Sequence, residues 1–258
     1  MTIIIAIATQ KGGVGKTSSA VNLADAFVRR GKRTLLIDLD PQSNATSIIS
    51  EVNPGKLRFN TVNLLLDSDP TVASACIIGS RIKGLDMIAS SIKLARAAET
   101  ELIRRNTTTL RKRLAIIAAD YDIIILDSPP NLGRLTSNAL CAATHYLVPI
   151  KGADIFSLDG YEDLEATVKE AKEDNPQLQL LGAFLNMYDG RTNVAQQLLG
   201  VAESKFGKDL LSARLPRSVQ FEEAAATSKT VLEAARDGSP AKAVTELADE
   251  ILVRVGLT

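Results

Sequence analysis

The sequence has no excess of either charge: Lys plus Arg and Asp plus Glu number 30 each, for a formal net charge of +0. That balance excludes a protein that coats nucleic acid by bulk charge, so any DNA contact has to come from a local patch. Cysteine is scarce. Cys76 and Cys141 stand far apart and outside any CxxC or Cys/His spacing, which leaves two reduced, buried thiols rather than a disulfide framework or a zinc module. The only histidine, His145, opens the apolar run His145–Ile150, and one histidine cannot build a metal site, so it reads as structural. No apolar run approaches the roughly 18 residues needed to cross a bilayer. The N-terminal run Met1–Ala8 lacks a basic n-region and a cleavage site and leads straight into a glycine loop. It therefore reads as a buried strand and not as a signal peptide, in a soluble, cytoplasmic chain.

What is present is core. The 258 residues are 45% hydrophobic and 23% charged, enough apolar material for one sizeable core and for one α/β domain over 1–258. Short β-branched runs alternate with longer amphipathic ones, the pattern of βαβ units in an open, mostly parallel sheet with helices on both faces. Strands are expected at Ile3–Ala8, Thr34–Asp38, Leu85–Ala89, Ile123–Asp127, Tyr146–Ile150 and Leu180–Asn186, with a weaker one near Leu210–Leu215. Helices are expected at Lys16–Arg30, Ile92–Ala119 (two, broken near Asn106), Leu132–Ala142, Leu158–Asp174, Asn193–Phe206 and Pro240–Val255. The stretch 51–80 carries the least pattern, and no repeat or linker appears.

The first strand ends in Thr9-Gln10-Lys11-Gly12-Gly13-Val14-Gly15-Lys16-Thr17, and a helix follows at once. Three glycines let backbone N–H groups turn inward as a nest for phosphates, and the helix N-terminus adds its partial positive charge. Lys16 reaches the β- and γ-phosphates, and the Thr17 hydroxyl ligates Mg²⁺. From average residue usage, Lys-Gly-Gly-x-Gly-Lys-[Ser/Thr] arises by chance in roughly one chain in ten thousand of this length. The usual phosphate loop has glycine where Gln10 stands, and a second lysine, Lys11, follows it. The nucleotide-binding set comprises Lys11, Gly12, Gly13, Val14, Gly15, Lys16, Thr17 and Ser18.

Two further strands end in carboxylates. Thr34–Ile37 leads into Asp38-Leu39-Asp40-Pro41-Gln42, and Ile123–Leu126 leads into Asp127-Ser128-Pro129-Pro130. Ligands of open α/β sheets lie at the carboxyl ends of the strands, so all three aspartates belong beside the phosphate loop. A carboxylate after four apolar residues is costly unless it serves a cation or hydrogen bonds. Asp127 fits the role of holding Mg²⁺ through a water. Asp40 is the residue to orient the attacking water. Asp38 either supports the site, as a further metal ligand, or caps the helix that follows. Lys151, after the strand Tyr146–Ile150, reads as an ordinary loop lysine or as a further cation for the pocket.

The loop Lys11–Thr17, the run Asp38–Gln42 and the run Asp127–Pro130 together resemble the ParA/MinD family of deviant Walker ATPases. The likeness extends to Leu158-Asp-Gly-Tyr161, Asn186-Met-Tyr-Asp-Gly-Arg-Thr192 and Leu215-Pro-Arg-Ser-Val219, in order along nearly the whole chain, and is greatest to the short ParA partition ATPases. The resemblance implies slow ATP hydrolysis with Mg²⁺ and an ATP-sandwich homodimer in which Lys11 reaches the partner's nucleotide. It places Asn186 and Pro216 near adenine and makes 38–46 and 127–134 the switch regions. It further implies DNA binding without sequence preference on the nucleoid and stimulation by a ParB-type adaptor. Related proteins place basic residues at the Arg191 position and three residues beyond the Pro-Arg pair. Here the second position is Gln220, so the DNA-binding candidates are Arg191 and Arg217, with Lys205, Lys208, Arg214 and Lys229 nearby in sequence.

Other uses of the same core predict other features. A MinD-like membrane switch needs a basic amphipathic C-terminal helix, whereas Ala243–Thr258 carries Glu246, Asp249 and Glu250 against Arg254 alone. An iron–sulfur reductase needs paired cysteines near the switch loops, and Cys141 has none. ParA-like ATPases that position a protein cargo on the nucleoid share the whole ATPase core and differ only in the adaptor-facing surface. With the phosphate loop so near the start, no N-terminal DNA-reading domain is expected, nor repression at an operator.

Overall fold

The computed structural model describes residues 2–53, 56–152, 154, 158 and 160–257. In chain order, β1 (Ile3–Ile7), α1 (Lys16–Arg29) and β2 (Thr34–Asp38) come first, followed by α2 (Asn44–Ile49), α3 (Thr61–Leu66) and α4 (Val72–Ala75). Strands β3 (Ile77–Gly79) and β4 (Leu85–Ile88) lead to α5 (Lys93–Ala98), α6 (Glu101–Arg105) and α7 (Thr109–Ile117). Next are β5 (Ile123–Asp127), α8 (Arg134–Ala142), β6 (His145–Lys151), α9 (Tyr161–Asp174), β7 (Gln179–Asn186) and α10 (Asn193–Phe206). Helices α11 (Gln220–Ala226), α12 (Val231–Ala234) and α13 (Ser239–Arg254) finish the chain.

The strands form one seven-stranded sheet in the order β3-β4-β2-β5-β1-β6-β7, parallel except where β3 pairs antiparallel with β4. Successive side chains of a strand point to opposite faces. Ile4, Leu35, Ile37, Ile124 and Leu126 therefore join the core on one face, while Ile3, Ile5, Leu36, Ile123 and Ile125 join the core on the other. Burial on both faces is why these strands are apolar without alternation.

The sequence pattern located six of the seven strands within a residue or so at each end, and β3 escaped it. That strand is a three-residue edge of intermediate burial, too short to show a period. The strand expected near Leu210–Leu215 does not form as one. This segment runs beside β7, with Leu211 N donating to Ala183 O at 2.7 Å and Leu215 N to Leu185 O at 2.9 Å. Between those bonds the Glu250 carboxylate takes the N–H groups of Ser212 and Ala213 at 2.9–3.0 Å, which removes them from a ladder. Ile92–Ala119 is broken twice, not once: Thr100 is extended between α5 and α6, and Asn106, also extended, accepts from Thr108. Residues 51–80 hold the two short helices α3 and α4 as well as β3. The apolar face of α13 (Val244, Leu247, Ala248, Ile251 and Leu252) is spent in the core with α1. Among the described residues, no helix is long and apolar enough to cross a membrane. Both cysteines are buried and free, and His145 Nδ1 shares a 2.9 Å hydrogen bond with the Thr144 hydroxyl.

Candidate nucleotide and magnesium site

Parallel register assembles the site. Asp38 of β2 pairs with Asp127 of β5, and Asp127 pairs with Ile7 of β1, so both carboxylates stand level with the start of the phosphate loop. The loop itself depends on left-handed residues. Gly13 has φ 68° and Gly15 has φ 82°, a region that a Cβ disfavours. Gly15 is the N-cap of α1 and offers no side chain to the first turn, so the N–H groups there remain for an anion. The Asn186 amide, 172 residues away in sequence, donates to Val14 O at 2.8 Å and clasps the loop from the side. Met187, at φ 53°, donates its N–H to Asn186 Oδ1 at 2.9 Å and holds that amide in place.

Lys16 is 6% exposed, and its ammonium donates to Lys11 O at 3.1 Å and Thr9 O at 3.4 Å. Burial lowers its pKa, while Asp127 and Asp40 act to keep it charged. Lys11 behaves differently. Its side chain is one-third exposed at the outer lip of the loop, 2.6 Å from Asp154.

Asp127 is fully buried, and among the described residues neither of its carboxylate oxygens has a hydrogen-bond partner. Burial and then the nearby Asp38 push its pKa well above the usual carboxylate value, with the Thr17 hydroxyl and Lys16 acting the other way. A buried, unsatisfied carboxylate between a threonine hydroxyl and a lysine fits a hydrated divalent cation. Thr17 and Asp127 would hold Mg²⁺, which would neutralise charge developing on the β- and γ-phosphate oxygens.

Asp38 has its oxygens engaged within its own loop: Oδ1 accepts from Asp40 N at 3.0 Å, and Oδ2 accepts from Thr46 N at 2.9 Å and Thr46 Oγ1 at 2.7 Å. Burial raises its pKa to about 6. Asp40 is buried, and its carboxylate accepts from Gln42 N at 2.9 Å.

The unpaired state of Asp127 carries a stability prediction. An acid whose folded pKa is raised contributes stability below its ordinary value, and that stability is lost as pH rises through the folded pKa. The nucleotide-free wild type therefore loses stability relative to Asp127→Asn as pH climbs above 3.8. At neutral pH the variant is the more stable by about 1–3 kcal/mol, yet it gains less stability from Mg²⁺ with ATP than the wild type does. Thermal denaturation of both proteins across pH, with and without Mg²⁺ and ATP, checks it.

A cavity of about 780 Å³ continues from the loop between Gly13 and Ser18 on one side and Pro216 and Phe221 on the other. Asn186 and Lys151 line it too, so Lys151 faces the nucleotide side of the sheet. Met187, Ser218, Phe221 and Glu222 line it without having been singled out in the sequence. Met187 and Ser218 lie within the Asn186–Thr192 and Leu215–Val219 motifs, and Phe221 and Glu222 follow closely on the second. Asp159, within the Leu158–Tyr161 motif, lies outside the described residues.

The DNA-binding candidates separate. Arg217 N donates to Tyr188 O at 3.1 Å, which joins it to the loop carrying Arg191 beyond the carboxyl end of β7. Arg214 stacks over the Tyr188 ring at 5.2 Å on the same edge. Arg191 is 89% exposed and paired with Asp189 at 2.7 Å. Lys205 and Lys208 do not join them. They lie at and just beyond the far end of α10, whose 14 residues span about 20 Å. Lys205 sits over Tyr161 at 4.6 Å, and the Lys208 carbonyl accepts from Arg254 at the last turn of α13. Lys229 lies apart again, beside the Thr230 that bonds Asp25 of α1.

A nest of left-handed glycines, a buried lysine and an unpaired aspartate on the neighbouring strand define a P-loop nucleotide hydrolase of the deviant, two-lysine kind. A family model described as an AAA domain matches residues 2–180. The chromosome-partitioning ATPase Soj of Thermus thermophilus is 39% identical over 252 residues, 97% of this chain and 96% of that protein. The sporulation initiation inhibitor protein Soj of Bacillus subtilis is 35% identical over 232 residues, 89% of this chain and 90% of that protein. A structure of cobyrinic acid a,c-diamide synthase from Mycobacterium smegmatis with bound ADP and magnesium superposes with TM-score 0.84 at 30% identity, covering 99% of this chain and 96% of its own. Its form with an ATP analogue and magnesium gives 0.83 at 31%, covering 96% and 93%. This chain belongs to the ParA/MinD family of P-loop ATPases. It is an ATPase, and the neighbours of known structure hold ADP or an ATP analogue together with magnesium.

Proposed function

We propose that this ATPase is a partition switch: with ATP it forms a sandwich homodimer, binds DNA without sequence preference, and segregates chromosomal or plasmid DNA with a ParB-type adaptor. The observation that carries the reading is Lys11. A second loop lysine stands at the exposed lip, in an ion pair with Asp154 rather than buried with Lys16. Partly exposed pairs of this kind are worth about 0–1 kcal/mol, so Lys11 exchanges Asp154 for a phosphate of a facing subunit at little cost. A second cation that arrives only on dimerisation couples the nucleotide state to assembly. The relatives named for chromosome partitioning, similar over nearly the full chain, support the same reading.

In the proposed cycle Lys16 and the loop N–H groups bind the phosphates, Asp40 orients the attacking water, and the segments 38–46 and 127–134 relay loss of the γ-phosphate to the dimer face. Two weak patches joined in one dimer gain effective concentration for DNA with no additional interaction per patch. The protein acts in the cytoplasm on the nucleoid.

Binding to random-sequence duplex DNA with ATP, with ADP and without nucleotide, across a salt series, tests the proposal. Binding confined to the ATP state and weakened by salt is expected. No binding in any state rejects the DNA-tracking role. Arg217→Glu and Arg191→Glu should each weaken binding at least about tenfold and lower the salt slope by about two, the share of one phosphate neutralised by each subunit of the dimer. Lys208→Glu, beyond the far end of α10, should leave both unchanged.

A further inference from the structure

We propose that Thr46 is the positioning residue that fixes Asp40 for hydrolysis, acting through Asp38 on one side and Ser90 on the other. This inference rests on the reading of Asp40 as the group that orients the attacking water. Thr46 is completely buried. Its hydroxyl donates to Asp38 Oδ2 at 2.7 Å and accepts from Ser90 N at 2.8 Å. Asp38 Oδ1 then holds Asp40 N at 3.0 Å, and Ser90 Oγ holds Asp40 O at 2.7 Å. The bonds close a ring in which both backbone polar groups of Asp40 are fixed and the Thr46 hydroxyl joins the two arms.

The ring has a specific mechanical consequence. Residues 38–46 form a loop that includes Ser43 in a left-handed conformation at φ 56°, which a non-glycine residue keeps only when its surroundings impose it. Strand β2 is secured separately, because the Thr61 hydroxyl donates to Asp38 O at 2.8 Å and Thr61 N donates to Ala89 O at 2.9 Å. Loss of the Thr46 hydroxyl therefore loosens Asp40 without dismantling the strand end or the phosphate loop. Valine has the shape of threonine and neither hydrogen-bonding capacity, whereas serine keeps both.

The test is single-turnover hydrolysis of bound ATP, with ATP affinity measured separately, for Thr46→Val, Thr46→Ser, Ser90→Ala and Asp40→Ala. Misplacement by about 1 Å is worth roughly a hundredfold in rate. Thr46→Val should therefore slow hydrolysis on the order of tenfold to a hundredfold while ATP affinity stays within about threefold. Thr46→Ser should restore most of the rate, and Ser90→Ala, which cuts one arm, should show a smaller loss. In an Asp40→Ala background Ser90→Ala should add nothing, because residues acting as a unit are not additive. A wild-type rate in Thr46→Val beside an inactive Asp40→Ala overturns the positioning role alone. A wild-type rate in Asp40→Ala overturns the reading of Asp40 instead. Should Thr46→Val fail to fold, Ser90→Ala decides, and a wild-type rate there rejects the proposal.

Discussion

Replacing Lys16 with alanine abolishes useful ATP affinity, with Kd for ATP and Mg²⁺ rising on the order of a thousandfold. Lys16 is buried, and the present partners of its ammonium are two backbone carbonyls, Lys11 O and Thr9 O. Phosphate oxygens are far better acceptors for a charged donor. Two such bonds at about 1.5–3 kcal/mol each make about 3–6 kcal/mol, and every 1.4 kcal/mol or so is tenfold in Kd. The same ammonium opposes the charge of Asp127 in the nucleotide-free protein. Equilibrium titration with a labelled ATP analogue reads the effect directly. A Kd within about tenfold of wild type would remove Lys16 from its role.

Gly15→Ala should be nearly as damaging, and through the fold rather than through charge. At φ 82° an L side chain is strained, by roughly 1–2 kcal/mol. The added Cβ would also stand 2.2 Å from Asn186 Nδ2, the donor that clasps Val14 O. Either the loop moves out or the amide is expelled, and both displace the N–H groups that face the phosphates. ATP affinity should fall at least about a hundredfold, and the melting free energy by about 1–3 kcal/mol. Calorimetric titration and thermal melting together check it. Asn186→Ala in the Gly15→Ala background should restore part of the stability and none of the affinity. Unchanged affinity in Gly15→Ala would show that the loop rearranges without consequence.

Several parts of the site were legible because they are local. The loop 11–17 carries its own conformational instruction in glycines that adopt φ 68° and 82°, and the aspartates follow their strands immediately. Strand ends of a parallel sheet share one edge, so topology alone places Asp38 and Asp127 together. Asn193–Phe206 was read to the residue because α10 is long and amphipathic, buried at Ala195, Leu198, Ala202 and Phe206. Helices of four to six residues such as α4 and α3 were not, since nucleation is unfavourable at that length and packing alone holds them.

The sequence by itself determined the fold class, the phosphate loop and the carboxylates that face it, because covalent order and backbone preference act over a few residues. Only the tertiary structure decided which side chains meet across the sheet. Asn186 reaches Val14, and Thr46 links Asp38 to Ser90. Lys205 and Lys208, close to Arg217 in sequence, end about a helix length from the Arg191 loop that Arg217 joins. Those outcomes rest on strand register and on the direction in which a helix leaves its loop. Both are settled by how two apolar faces of one sheet are covered, which no short stretch of chain encodes.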